Sequence, residues 1–220
     1  MIEIPSKTSK PLRKNPRRLL LFGKQKVGKT SKLSELGNDC LIIDTEEGTE
    51  YLECRNLKIS NLQELAETLV ALRDNKQKYI ALDTIDMVYD WIVNDIITTN
   101  NVKNLSDIGY GGGFDQARNR LINFCENLAK CCETLIVIGH LKRTIIGETS
   151  LEVDLKTLDL PGKAKNMLGS WADACGFIYR DDDSNLKVSF VPSKDVEAGT
   201  RNEHLKGKNI PFDWKSIFIN

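Results

Sequence analysis

Gly23-Lys24-Gln25-Lys26-Val27-Gly28-Lys29-Thr30 stands directly behind an apolar run, Leu19-Leu20-Leu21-Phe22. Together they read as a strand, a loop and the start of a helix. The loop has the spacing G-x-x-x-x-G-K-[ST], in which glycines let successive backbone N–H groups turn inward as an anion nest. The helix that follows points its positive end at the same place. Lys29 then reaches the β- and γ-phosphates of a nucleotide, and Thr30 offers the hydroxyl that Mg²⁺ takes as a ligand. The candidate nucleotide-contacting set is therefore Gly23, Lys24, Gln25, Lys26, Val27, Gly28, Lys29, Thr30 and Ser31, with ATP and Mg²⁺ as the implied ligands. A glycine turn with solvated lysines can match the same pattern by accident. The flanking strand and helix patterns are what argue against that reading.

The chain has 220 residues and a formal net charge of zero. That length holds one sizeable α/β domain with small additions, and the charge balance leaves any nucleic-acid contact to local patches. No apolar run approaches the roughly 20 residues that span a bilayer, and Met1-Ile2-Glu3-Ile4-Pro5 lacks the apolar core of a signal peptide. A cytoplasmic protein without membrane partners is expected. The six cysteines form no C-x-x-C pair, and two histidines are too few to favour a zinc site. Small buried thiols are the expectation.

Residues 5–18 carry Lys7, Lys10, Arg13, Lys14, Arg17 and Arg18 among three prolines and no acid. This reads as an extended basic arm over 1–16, suited to a nucleic-acid backbone, a neighbouring subunit or solvent. The helix after the phosphate loop should end near Gly37-Asn38. Cys40-Leu41-Ile42-Ile43-Asp44 has the continuous apolar spelling of a buried parallel strand, as does Tyr79-Ile80-Ala81-Leu82-Asp83. Thr45-Glu46-Glu47-Gly48 lies where open α/β sheets bind ligands, outside the carboxyl ends of the strands. Glu46 is thus a candidate general base or a solvated loop acid. Asp83 ends its strand as a carboxylate placed to hold Mg²⁺ opposite Thr30, whereas Asp86, one turn on, reads as a helix N-terminal charge.

Residues 61–74 open with an Asn cap and Glu64 three residues later, then set Leu62, Leu65, Leu69 and Leu72 on one face. A helix over 86–98, a mobile glycine-rich loop over 101–113 and a helix from Phe114 to Cys132 follow. Thr134 to His140 repeats the buried-strand pattern and ends in a polar residue, which is either structural or a partner of the ligand. Residues 141–165 suggest a hairpin or ordered loop before a short helix. Ala172–Arg180 and Leu186–Val191 read as two further strands. In the tail over 192–220, Phe212, Trp214 and Phe218 are expected to pack on the core.

The succession of Gly23–Thr30, Asp44-Thr45-Glu46, Asp83, Gly109-Tyr110-Gly111 and Gly139-His140-Leu141-Lys142 resembles the RecA-like recombinase ATPases over residues 17–191. Within that group it is most similar to the phage-encoded minimal RecA-like single-strand annealing proteins. The resemblance implies a RecA-like P-loop core of α/β class: a mainly parallel central sheet flanked by helices, with antiparallel strands toward the C-terminal edge. It implies a catalytic set of Glu46 as base, Lys29, and His140 at a position where the family carries a γ-phosphate-sensing glutamine. It also places DNA-binding loops at 101–113 and 141–160, with Tyr110 and Phe114 for base stacking and Lys142 and Arg143 for phosphates. Single-stranded DNA, further copies of the chain in a ring or filament, and a single-strand DNA-binding protein are the implied partners, in a phage-infected bacterial cell. Lys194 and Arg201 are candidate basic fingers acting in trans, or plain surface charge.

Two other functions suit the same loop. A nucleotide or small-molecule kinase would need a lid with arginines, of which residues 141–165 hold only Arg143. A nucleotide-locked module that coats DNA or loads a helicase would need no hydrolysis to act.

Overall fold

The computed structural model describes residue 4 and residues 6–146 and 153–219. Parallel strands that are covered on both faces need apolar side chains on both. The runs read above meet that demand: Leu19–Phe22, Ile42–Ile43, Ile80–Leu82 and Leu135–Ile138 are all at most 1% exposed. They form β1 (Arg18–Gly23), β2 (Cys40–Asp44), β4 (Gln77–Asp83) and β5 (Cys132–Ile146). Between β2 and β4 the chain makes β3 (Arg55–Lys58), a fully exposed four-residue edge strand without an apolar run. Short, charged strands of this kind discourage edge-to-edge pairing.

After β5 come β6 (Val153–Leu158), β7 (Ala174–Arg180), β8 (Leu186–Ser189), β9 (Gly199–Thr200) and β10 (Asn209–Pro211), and the main order is β10-β8-β7-β1-β5-β4-β2-β3. The pairs from β7 through β1, β5, β4 and β2 to β3 are parallel, whereas β8, β9 and β10 join antiparallel. The expected class, a mainly parallel α/β sheet with antiparallel strands at one edge, is the observed one.

Register decides where the chemistry sits. Gly23 pairs with His140, Asp83 with Ile138, and Asp44 with Asp83. The ends of β1, β5, β4 and β2 thus meet along one edge of the sheet, with β5 lying between the phosphate-loop strand and the Asp83 strand.

One face of the sheet is covered by α2 (Leu62–Leu72), α3 (Ile85–Asn100), α4 (Gly112–Lys130) and α5 (Gly162–Trp171). The other is covered by α1 (Lys29–Ser34), α6 (Trp214–Ile217) and tail residues Leu205 and Phe212. Asn61 caps α2 by accepting from the Glu64 amide at 3.0 Å, while the Glu64 carboxylate accepts from the Ser60 amide at 2.7 Å. Phe212 and Trp214 are buried in the cluster on this face. Trp214 stacks on Phe218 at 5.7 Å and donates its Nε1–H to the Lys32 carbonyl at 2.5 Å, clamping α1. Asn15 exchanges two hydrogen bonds with Ile219, joining the basic arm to the tail.

Several boundaries differ from expectation. The helix expected to run to Cys132 ends at Lys130, because Cys132 opens β5 and pairs with Gln77. The helix α3 runs two residues beyond 98. The 101–113 loop is largely wound into two 3₁₀ turns, the first closed by reciprocal Asn104 and Asp107 caps, and its Gly112 and Gly113 belong to α4. The strand expected to reach Val191 stops at Ser189. The hairpin expected within 141–165 is β5 folding onto β6, with Leu141 opposite Leu158, and its tip over 147–152 lies outside the described residues. A bridge from Lys156 to Val196 stitches the tail to the hairpin's outer strand.

Candidate functional site

The phosphate loop turns at Gly28, whose φ of 114° is open to glycine and strained for any residue with a Cβ. The loop can wrap tightly because Gly23 runs flush against β7: a Cβ there would lie 2.6 Å from the Ile178 carbonyl oxygen. Lys29 is buried, with its Nζ donating to the Gly23 carbonyl at 3.2 Å and the Lys24 carbonyl at 2.9 Å. Burial lowers its pKa, and the nearby carboxylates of Asp83, Asp86 and Glu46 only partly offset that. An ammonium bonded only to the loop's own carbonyls is free to exchange them for phosphate oxygens.

Thr30 donates its hydroxyl to Asp83 Oδ2 at 2.6 Å. Burial pushes the Asp83 carboxyl up to about 6 against the opposing pull of Thr30 and Lys29. A buried carboxylate that is costly to ionise, beside a hydroxyl, is an oxygen donor set that fits a hard divalent cation.

Asp44 organises the turn that carries Glu46. The Asp44 carboxylate accepts from the amides of Glu46 (3.0 Å), Gly48 (3.2 Å) and Thr49 (2.9 Å), and from the Thr49 hydroxyl. Burial pushes Asp44 up, but these four donors outweigh it and leave its pKa below the ordinary carboxylate value. Thr45 ties the same turn to β4, accepting from the Thr84 amide at 2.8 Å. Across from Glu46, His140 lies with Nε2 3.5 Å from Glu46 Oε2 and Nδ1 2.5 Å from Asp86 Oδ2, while its amide donates to Asp86 Oδ1 at 3.1 Å. The Asp86 hydrogen bond raises the His140 pKa, against desolvation and the charge of Lys29. Asp86 is therefore more than a helix charge, since its carboxylate holds both the imidazole and the backbone amide of His140.

These groups line one cleft of about 420 Å³, which takes in Gln25, Lys26, Gly28, Lys29, Thr30 and Ser31 together with Glu46, Asp83 and His140. Tyr51, 94% exposed, stands at its rim. Gly23 and Lys24 contribute the carbonyls under Lys29, and Lys24 and Val27 face a second cavity on the other side of the loop. Glu46, Asp86 and His140 also have ligand atoms within 4.8 Å of one another, the one such cluster among the described residues.

The residues named for DNA belong to different elements. Tyr110 and Phe114 are exposed at the start of α4, in a cavity of about 300 Å³ with Arg118 and Lys163. Lys142 and Arg143 sit instead on the hairpin, paired with Asp159 at 3.2 Å and with both Asp154 oxygens. Arg201 donates to the Ser170 carbonyl at 2.6 Å and lies 3.8 Å from Asp173, so within one copy it is held by its own chain; Lys194 is exposed. Burial pushes the thiols of Cys40, Cys125 and Cys132 up to about 12, the behaviour of structural cysteines.

Sequence reasoning missed Asp44 as an organiser of the Glu46 turn and Asp86 as the partner of His140. The i+2, i+4 and i+5 spacing of Glu46, Gly48 and Thr49 after Asp44 was the available signal for an Asx-type turn. Nothing local could pair Asp86 with a residue 54 positions away. A protein-family model described as an AAA domain matches residues 15–202, and no curated protein matches the chain. Among the described residues, no helix is long and apolar enough to cross a membrane.

Proposed function

Because the chain belongs to the AAA-domain family and so carries an ATPase-type nucleotide-binding domain, we propose that it is a Mg²⁺-dependent ATPase that binds single-stranded DNA. On this reading it works as a homo-oligomer in single-strand annealing or homologous recombination during phage DNA metabolism. The observation that carries the hydrolytic part is Glu46, on the turn that Asp44 organises and standing in the same cleft as Lys29, Thr30 and Asp83. Mg²⁺, held by Thr30 and Asp83, would neutralise charge developing on the phosphates. Lys29 leaves the Gly23 and Lys24 carbonyls for the terminal phosphates. Glu46 accepts the proton of the attacking water. His140, positioned by Asp86, donates from Nε2 toward Glu46 or the terminal phosphate, and so is placed to report nucleotide state to β5 and the hairpin that continues it.

The DNA part is supported by the family resemblance, by the exposed rings of Tyr110 and Phe114, and by a chain from the cleft through His140 into the hairpin. The kinase reading loses ground because Arg143, the one arginine of residues 141–165, is tied to Asp154. Titrating a labelled single-stranded oligonucleotide with and without ATP and Mg²⁺ at moderate salt tests the proposal. ATP should change the affinity; the DNA-linked function fails if affinity is the same in both states.

A further inference from the structure

Behind the phosphate loop, on the side away from Glu46, lies a groove of about 570 Å³ bounded by the loop, the β5–β6 hairpin and the end of β7. Its lining carries five cations, Lys24, Lys26, Arg143, Lys156 and Arg180, and no acid among the described residues. Asp154 stands just outside and pairs with Arg143 and, at 3.7 Å, with Lys156. The lining itself is cationic, and the acids at its rim are paired, Asp154 with Arg143 and Asp181 with Lys187 at 3.0 Å. The cations come from four elements, the phosphate loop, β5, β6 and β7, a spread that suits a run of phosphates better than a single one.

The floor of the groove is aromatic. Phe177 and Tyr179 alternate on one face of β7 and stack at 5.5 Å with an interplanar angle of 8°. Phe177 is buried under the sheet face while Tyr179 is half-buried, and Asn209 donates to the Tyr179 hydroxyl at 2.6 Å, which fixes the ring. A ring held in place with one face toward a cationic cavity is a stacking platform, and its preference among bases is weak because every base has a π-face.

We propose that this groove binds single-stranded nucleic acid, with a base stacked on Tyr179 and the flanking phosphates on Lys156, Arg180 and the outward lysines of the phosphate loop, Arg143 being held by Asp154. The inference rests on the single-stranded-DNA reading above but assigns the contact to a different surface from Tyr110 and Phe114. It also supplies a coupling route. Gln25 and Lys26 line both the cleft and the groove, so a nucleotide on one face of the loop and a strand on the other bias the same backbone, and each changes the other's affinity by the same factor.

The test uses the full chain, a fluorescein-labelled oligothymidylate and fluorescence anisotropy. Tyr179→Leu should weaken binding by about 5- to 100-fold, while Tyr179→Phe, which keeps the ring, should bind like wild type. Lys156→Gln should weaken binding and reduce the salt slope by about one unit. DNA-free ATP turnover should stay at the wild-type level in both Tyr179→Leu and Lys156→Gln, which shows that the fold and the cleft survive. On wild-type protein, an iodo-deoxyuridine oligonucleotide should photo-crosslink to the peptide holding residues 177–180, and free ATP in excess should not displace it from there. If wild type binds no oligonucleotide, the proposed function falls together with this groove. If wild type binds and crosslinks only at Tyr110 or Phe114, or if Tyr179→Leu binds unchanged, the groove alone is overturned. Displacement by free ATP would make it a mononucleotide pocket and would also overturn the inference.

Discussion

The cleft and the groove share Gln25 and Lys26 but differ in almost everything else. The cleft gathers Glu46 and Asp83 around one buried lysine, with Asp86 behind His140, and is fixed by hydrogen bonds to carboxylates. The groove gathers cations around two stacked rings. Carboxylates grouped around a buried lysine suit a ligand that brings both phosphate and a divalent cation, because the cation reverses the local charge balance. An acid-free cationic surface suits phosphates that arrive without a tightly bound metal, at a cost in salt sensitivity. One loop with two opposite surfaces can therefore hold two phosphate ligands without confusing them.

The largest break in this comparison should come from Lys29→Ala, which removes the ammonium buried in the cleft. ATP turnover should fall by about 10²- to 10³-fold, the scale seen when one preorganised electrostatic contact to a transition state is lost. Oligonucleotide binding without nucleotide should survive, because Lys29 does not face the groove; steady-state phosphate release and anisotropy on one preparation check both.

Gly23→Ala should damage the two sides together. Its Cβ would meet the Ile178 carbonyl oxygen at 2.6 Å, backbone against backbone, where β7 supports loop and groove alike. Overpacking of this kind costs about 1–3 kcal/mol, and thermal melting should show Tm lowered by about 2–4 °C for each kcal/mol. Nucleotide and oligonucleotide binding should weaken in parallel.

Asp86→Asn should touch the cleft alone and less severely. Asp86 raises the His140 pKa above the ordinary 6.5, so the pair adds stability that is complete below that value and is lost as pH rises through the raised one. A turnover that uses the charged imidazole should decline over the same range. With Asn at 86 the alkaline limb of the pH–turnover profile should move to lower pH, and the loss of turnover should stay below the about 100-fold floor for removing a general base. An unmoved limb would show that His140 takes no part in turnover through its charge.

The same contrast explains what was legible. The cleft could be read because its parts are local: the phosphate loop is one contiguous spelling, and Asp44, Asp83 and His140 each end an apolar run whose burial on both faces dictates a parallel strand. Once such strands align, their ends must meet. Asn61 and Glu64 announce a helix start for an equally local reason. The groove was illegible because Lys24, Lys156 and Tyr179 belong to three elements joined only by the sheet order, and β7 reaches the loop because β1 pairs with it rather than with β2. Lys142 and Arg143 looked like free phosphate ligands in sequence; the antiparallel register that sets Arg143 opposite Lys156 also brings Asp154 and Asp159 against them. The edge strand β3 escaped notice because an exposed strand has no need of an apolar run.

Glu46→Gln, measured for both ATP turnover and nucleotide affinity, tests the central claim most directly. The substitution keeps the shape of the side chain and removes its ability to accept a proton. Turnover should fall by about 10²- to 10⁴-fold while ATP still binds and ATP-dependent oligonucleotide retention persists or lengthens. Turnover at the wild-type rate would contradict the account, because the acid whose turn Asp44 organises would then have no part in hydrolysis.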